Sequence, residues 1–215
     1  KTMTYAELKN LIQNYLQNSE TSFTTYLPDI IKQGEDRIIE NVQLPAFRKN
    51  QTGNLSASNQ YLGIPTDFLS VYSLSYTNSS SQTFLINKDV NWIRELYPNA
   101  STTGSPEYYA IFSDDYFIVA PTPDAAYTVE LHYSYKPNSI TVGADSGTTW
   151  LSKNASTALL YSCLLEGYTY MKGEQDMMSV YNTRYETALA RLKVLGEGRD
   201  RKDAYRSGQL INPVS

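Results

Sequence analysis

The sequence predicts an α+β fold: a four-helix bundle-like α domain with an inserted antiparallel β-sheet or barrel domain and an extended C-terminal tail. Apolar residues recur at helical spacing near both ends of the chain, whereas residues 46–136 alternate between apolar and polar positions. Neither predicted helical pair can bury its apolar stripe alone, so the two pairs are expected to pack together. The predicted domains are a helical domain of residues 1–45 and 150–196, a β domain of residues 46–149, and an arm of residues 197–215.

Four helices are predicted, near residues 4–17, 28–43, 153–172 and 174–195. Thr4 and Glu7 have the spacing of a capping box at the start of the first helix. The polar stretch 18–25 is typical of a loop, and Pro28, which a first helical turn tolerates, is expected to begin the second helix. Gly34 is expected to let another backbone approach the second helix closely.

The region between the helical pairs is predicted to form at least six strands joined mostly by short turns. The segments with strand character are residues 48–52, 60–64, 68–76, 83–86, 108–112, 116–120 and 127–135. Residues 57–59 are expected to join the first two strands, and residues 113–115 to form the tight connection of a hairpin. Asn87 is expected to cap a short helix that contains Trp92 and stops at Pro98.

Charge and composition exclude several classes of protein. A formal net charge of −4 and an isoelectric point near 5.1 argue against a surface that grips phosphate backbones, although such a protein can surround DNA that slides past. No apolar run approaches the length of a membrane span, and the first residues do not have the pattern of a secretory signal. The single cysteine, Cys163, excludes an intrachain disulfide and lies in an apolar run, which indicates a buried position.

No catalytic, cofactor-binding or metal-binding residues are predicted, and the chain is not expected to be an enzyme. It contains no nucleophile elbow, P-loop, HExxH motif or dinucleotide fingerprint. His132 is predicted to lie on a sheet surface. Glu166, an acid on an apolar helix face, is predicted to form a structural ion pair with Arg37 or Lys32. A glycosidase whose two carboxylates lack any local motif remains an alternative.

The chain contains 19 tyrosines among its 215 residues, together with many Asn, Ser and Thr residues. Tyrosine buries a large ring and keeps a hydroxyl that can reach water or a partner, so it is favoured on surfaces that become buried in an assembly. Tyrosine is also common on the pleated surfaces of β-rich domains. Composition alone does not separate these two interpretations.

The last segment, residues 197–215, lacks periodicity and mixes charged residues with Gly and Pro, so it is expected to be disordered alone. Its alternating cations and anions suit docking into a protein groove of mixed charge better than binding to nucleic acid. The candidate docking residues are Arg199, Arg201, Lys202, Tyr205, Arg206, Leu210, Ile211 and Val214.

Five segments, taken in order, resemble the head–tail adaptor (connector) proteins of tailed bacteriophages, especially those of short-tailed phages. The segments are residues 27–38, 64–69, 106–111, 121–131 and 159–168, within a match from about Thr4 to Leu195. Polar stretches at 78–81 and 143–149 depart from the family pattern, which leaves the loop contacts with the tail open.

The resemblance implies a virion protein of the head–tail junction, assembled in the cytoplasm of the bacterial host. Family members form a ring, expected to be a dodecamer, that joins the portal protein to the tail nozzle or tail tube proteins. The helical part would sit on the portal, the β part would face the tail, and the arm would reach into the portal. Double-stranded DNA would pass without sequence-specific binding, and no membrane is involved.

The alternative from another class is a carbohydrate-binding or tail-spike-type binding module, because tyrosines clustered on a sheet also stack against sugars. Such a module would bind glycans saturably as a monomer, whereas the adaptor interpretation predicts no glycan affinity and binding to portal rings.

Overall fold

A computed structural model describes residues 2–200 and confirms the mixed α+β class. The chain divides into two compact units. The helical unit contains the residues up to Ala46 and those from Asn138 onward, and the β unit contains Phe47–Pro137. The β unit is therefore inserted in the sequence of the helical unit.

The helical unit is organised around one central helix, α5. Its helices are α1 (Tyr5–Leu16), α2 (Thr21–Asn41), α4 (Trp150–Asn154), α5 (Ser156–Tyr170) and α6 (Gln175–Asp200), and the β unit contains α3 (Val90–Leu96). Helix α5 contacts α1, α2 and α6, and eight of its fifteen residues are buried. This helix is therefore apolar on nearly all sides, as expected for a helix that others surround.

The first two helices confirm one predicted boundary and correct another. The capping box is present: the Glu7 amide donates to Thr4 Oγ1 at 3.2 Å, and the Thr4 amide donates to Glu7 Oε2 at 2.9 Å. The loop predicted over 18–25 is confirmed only for residues 18–20, because α2 already begins at Thr21 and contains Pro28. The burial of Phe23 and Leu27 in this first part of α2 offsets the helical hydrogen bond that proline cannot donate.

Helices α2 and α5 approach each other closely at Gly34, as predicted. A Cβ atom on Gly34 would lie 2.7 Å from the sulfur and 3.0 Å from the backbone nitrogen of Cys163. The Ser162 hydroxyl donates to the Gly34 carbonyl at 2.6 Å. Cys163 is fully buried, as predicted, and this burial, with the nearby carboxylates of Glu35 and Glu166, raises the pKa of its thiol well above the ordinary value.

Residues 138–149, which the predicted bounds place in the β domain, belong to the helical unit. The Tyr5 and Ala6 amides donate to the Gly147 and Asp145 carbonyls at 3.0 and 2.9 Å. These amides belong to the first turn of α1, where a helix has no internal acceptors for them. The segment thus completes the start of α1, which its own polar, Gly-rich sequence does not reveal.

The β unit contains three sheets, and in the described residues none closes into a barrel, so the predicted barrel alternative is wrong. The strands are β1 (Arg48–Leu55), β2 (Tyr61–Gly63), β3 (Phe68–Asn78), β4 (Ser81–Phe84), β5 (Ile86–Asn87), β6 (Thr103–Gly104), β7 (Tyr108–Ile111), β8 (Tyr116–Ala120), β9 (Thr122–Pro123) and β10 (Tyr127–Tyr135). The first sheet, in the order β1-β10-β3-β4, is antiparallel throughout. The second, β2-β8-β7-β5, is antiparallel except for the β5–β7 pair, and β6 and β9 form a short parallel pair.

The core of the β unit lies between the first two sheets. Strand β10 is central in its sheet and buries alternate residues from Tyr127 to Tyr133, as the period of two requires. Phe68 of the first sheet meets Phe117 of the second edge to face, with ring centroids 5.6 Å apart. The turn at Ala57 and Ser58 joins β1 to β2, as predicted, although the two strands belong to different sheets. Asp89 caps α3 instead of Asn87.

Helix α6 is longer than its apolar stripe predicts. It runs to Asp200, so residues 197–200 continue the helix and do not begin the predicted arm. Residues 201–215 lie outside the described part of the chain.

We predict that Gly34→Ala destabilises the helical unit by about 1–3 kcal/mol, because the new methyl group overlaps backbone atoms of Cys163 that no rotamer change can move. Urea unfolding followed by circular dichroism at 222 nm measures the change. Gly143→Ala is the control, since its Cβ would be 3.8 Å from the nearest atom. A Gly34→Ala variant as stable as the control would show that the two helices are not held at this distance.

Candidate interaction surfaces

The predicted docking arm lies almost entirely beyond the described residues. Arg199 belongs to the last turn of α6. The other seven candidates, Arg201, Lys202, Tyr205, Arg206, Leu210, Ile211 and Val214, lie outside the described part of the chain. The arm therefore stays a prediction.

The described tyrosines divide between core and surface. The buried ones are Tyr5, Tyr76, Tyr109, Tyr127, Tyr133, Tyr181 and Tyr185. Those with much exposed ring surface are Tyr15, Tyr26, Tyr72, Tyr116 and Tyr170. The structure therefore does not separate the two interpretations of the tyrosine content, because the sheets and helices bury some of these rings and leave others on the surface.

An exposed aromatic cluster lies at the hairpin between β7 and β8. The ring of Tyr61 packs against Phe112 and Tyr116, with centroids 5.2 and 6.3 Å apart, and the Arg94 guanidinium lies 5.2 Å from the Phe112 ring centre. Phe112 and Tyr116 are 41% and 49% exposed. We call these four residues the hairpin platform. Large exposed rings beside a cation are typical of protein-binding surfaces.

The side chains of Asp114 and His132 both lie on the surface of the β unit. The Asp114 side chain is exposed in the hairpin connection. His132 lies on the sheet surface, as predicted, where it bonds to the Asn50 side chain and packs edge to face on Tyr72. Among the described residues, no group of three or more His, Cys, Asp or Glu side chains could hold a metal ion. No helix in the described part is long and apolar enough to cross a membrane.

Glu166 forms the predicted ion pair, and its partner is Arg37. The Arg37 Nε donates to Glu166 Oε1 at 2.8 Å, and a terminal guanidinium nitrogen contacts the same oxygen. The Tyr185 hydroxyl donates to the Arg37 carbonyl at 3.4 Å. Lys32, the other candidate, lies 3.5 Å from Asp29 within α2. The ion pair therefore joins α2 to α5, and the hydrogen bond from Tyr185 joins α6 to α2.

A second polar network stabilises the first sheet, and the sequence pattern does not reveal it. The Tyr133 hydroxyl donates to Asp67 Oδ1 at 2.8 Å, and the Lys49 ammonium pairs with the same carboxylate. Burial acts to raise the pKa of Asp67, but the hydrogen bonds from Lys49 and Tyr133 outweigh it and hold this pKa below its ordinary value. Burial and the Asp67 carboxylate raise the pKa of Tyr133.

A groove of about 500 Å³ lies between α1 and the first turns of α5. Its lining residues are Thr2, Met3, Glu7, Asn10, Leu11, Asn14, Tyr15, Ser156, Thr157, Leu160 and Tyr161. Tyr15 and Tyr161 meet edge to face, with centroids 6.4 Å apart. We call this feature the α1–α5 groove. The sequence does not predict it, because its two walls are more than 130 residues apart along the chain.

The helical unit, divided in the sequence by an inserted β unit, agrees with the organisation expected of the class that the sequence resembles, the phage head–tail adaptors. The family model "SU10 adaptor protein" matches residues 3–212, and the chain belongs to this family. The resemblance stated from the sequence is thereby confirmed. No curated protein matches the chain.

We predict that Asp67→Asn lowers the melting temperature at pH 7 and that this difference shrinks as the pH falls below about 3.9. The depressed pKa means that the Asp67 carboxylate contributes stability above its unfolded pKa of about 3.9, and that this contribution is lost as the pH falls through the folded pKa. Thermal melts between pH 7 and pH 3 test this. Asp114→Asn, at an exposed position, serves as the control, and a deficit independent of pH would contradict the role of the charge.

Proposed function

We propose that this adaptor forms a closed ring, expected to be a dodecamer, that joins the portal to the tail and continues the DNA channel. The observation that carries the proposal is the family match over residues 3–212. A ring needs two different patches on each subunit, related by a rotation that closes. The adaptor would be assembled in the cytoplasm of the bacterial host and remain in the virion.

In the proposed orientation the helical unit sits on the portal and the β unit faces the tail nozzle or tail tube proteins. The hairpin platform supports a protein contact by the β unit, since Phe112 and Tyr116 expose large ring surfaces beside Arg94. Net charge supports passive passage of DNA: at −4 the chain is not built to grip phosphates along a channel.

The arm is proposed to anchor the ring to the portal. Because α6 reaches Asp200, the proposed arm consists of the 15 residues 201–215. Fully extended, such a segment spans about 50 Å. Arg201, Lys202 and Arg206 can form charge-assisted hydrogen bonds, and Leu210, Ile211 and Val214 offer apolar anchors.

The alternative, a carbohydrate-binding or tail-spike-type module, is favoured by one observation. The hairpin platform places Tyr61, Phe112 and Tyr116 together at the surface, and aromatic faces of this kind can stack against sugar rings. A glycan array with the isolated chain separates the two functions. Saturable binding that is lost in Tyr116→Ala would favour the module.

We predict that the isolated chain sediments as a monomer and joins a ring only when portal is present, because its exposed apolar residues are spread over both units. Analytical ultracentrifugation with and without portal rings of the same phage measures this. A stable closed ring of the free protein would contradict the proposed order of assembly.

We predict that deleting residues 201–215 abolishes portal binding and leaves the melting temperature nearly unchanged. The segment follows the last described turn of α6, and ordering it costs roughly 1–2 kcal/mol per residue, which only a partner surface can offset. Cosedimentation with portal rings is the measurement. A chain whose residues 201–215 are scrambled, with the same composition, is the control. Binding of the truncated chain at wild-type affinity would place the anchor on the helices.

A further inference from the structure

Helix α6 has a second apolar face, opposite the one that packs on α5. The buried stripe consists of Tyr181, Tyr185, Ala188, Leu189 and Leu192. On the other side, the residues Val180, Thr183, Thr187, Ala190 and Val194 follow one another at intervals of three, four, three and four. At 100° per residue these five positions lie within one sector of about 80°, and this alternating interval is the spacing of a helix that packs along another helix. We call the row the outer α6 face.

The outer α6 face is apolar although it contains two threonines. The Thr183 and Thr187 hydroxyls donate to the carbonyls of Ser179 and Thr183, four residues earlier, at 2.9 Å each. Their hydrogen-bonding capacity is thus used within the helix, and their methyl groups are left at the surface. Val180 and Val194, toward the two ends of the row, are 49% and 68% exposed. Along this row, about four turns of the helix therefore present only methyl groups, which are small enough for a close contact with another helix.

The helical unit also contains a concave surface, the α1–α5 groove. It runs along a helix, its floor includes Leu11 and Leu160, and Tyr15 and Tyr161 lie along it. The outer α6 face and the groove share no residue, so one copy can offer the first surface while it receives a neighbour on the second.

We propose that the α1–α5 groove of one copy receives the outer α6 face of the next copy, which makes this the contact between neighbours in the ring. The inference rests on the proposed function, since a closed ring requires head-to-tail contacts between its copies. Two different patches that fit each other are what a rotationally closed ring requires, whereas two identical α6 faces would give only a dimer.

Charge supports the same pairing. Residues 180–196 carry Arg184, Arg191 and Lys193 against the single acid Glu186, a net charge of +2. The residues that line the groove lie within 2–15 and 156–161, and none of them is a cation. The one charged residue that lines the groove is Glu7. Opposite fields would orient the two surfaces as neighbours meet.

Cysteine cross-linking on the portal tests the contact. The chain's only cysteine, Cys163, is fully buried, so an engineered surface thiol is the one that reacts. We would mix Ala190→Cys and Asn14→Cys chains on portal rings of the same phage and oxidise them. A disulfide needs Cα atoms within about 7 Å, so the mixture should yield about tenfold more linked dimer than an Ala190→Cys and Gln33→Cys mixture. The double variant Ala190→Cys/Asn14→Cys should give a ladder of linked copies.

Cosedimentation of the same samples before oxidation separates the two proposals. Chains that do not bind portal rings would overturn the proposed function itself. Chains that bind but give no Ala190–Asn14 link above the Gln33 control would overturn the neighbour contact and leave the portal role intact. Links formed by Ala190→Cys chains alone would also overturn it, because they would mean that α6 faces pair with each other. Links from the Ala190→Cys chain to the portal would assign the outer α6 face to that partner instead.

Discussion

The close approach of α2 and α5 at Gly34 is the constraint on which the helical unit depends. The two helices are 128 residues apart where Ser162 donates to the Gly34 carbonyl, and the whole β unit lies between them in the sequence. One turn further along, the Arg37–Glu166 pair joins the same helices, and Tyr185 joins α6 to them. The helix contact at Gly34 leaves no room for a side chain and holds the two parts of the helical unit together. The long insertion between them does not prevent this, because the entropic cost of closing a loop rises only slowly with its length.

Local patterns predicted those elements whose burial follows from local sequence. Sequence patterns identified strands 116–120 and 127–135 to the residue: the first is an apolar run that is buried from Phe117 to Ala120, and the second alternates because one of its faces lies in the core. The start of α2 was missed, because Phe23 and Leu27 outweigh an internal proline only when other helices cover them. The role of residues 138–149 was missed for a related reason: carbonyls that complete a helix about 140 residues away leave no signal in either segment.

The polar sites and surfaces differ in the same way: local sequence signals some of them, and others depend on contacts between distant segments. An acid on an apolar helix face needs a cation, so Glu166 indicated its own partner. Asp67 gave no such signal, because its network exists only in the register that sets Lys49 opposite Tyr133 on neighbouring strands. The α1–α5 groove likewise requires two helices from opposite ends of the chain. Tyrosine content was ambiguous for a physical reason, since the same side chain serves the core at Tyr133 and the surface at Tyr116.

The two faces of α6 are consistent with the proposed order of assembly, in which copies would join a ring only on the portal. The inner face buries tyrosines and leucines, which give the fold its stability, whereas the outer face offers only Val, Thr and Ala methyl groups. Burial of such a face contributes only a few kcal/mol to the free energy of association. The loss of translational and rotational freedom costs roughly 4–15 kcal/mol, so this contact alone does not offset most of that range. Free copies would therefore stay apart. Copies held side by side by their arms would meet at a high effective concentration, at which a weak contact between small residues is sufficient.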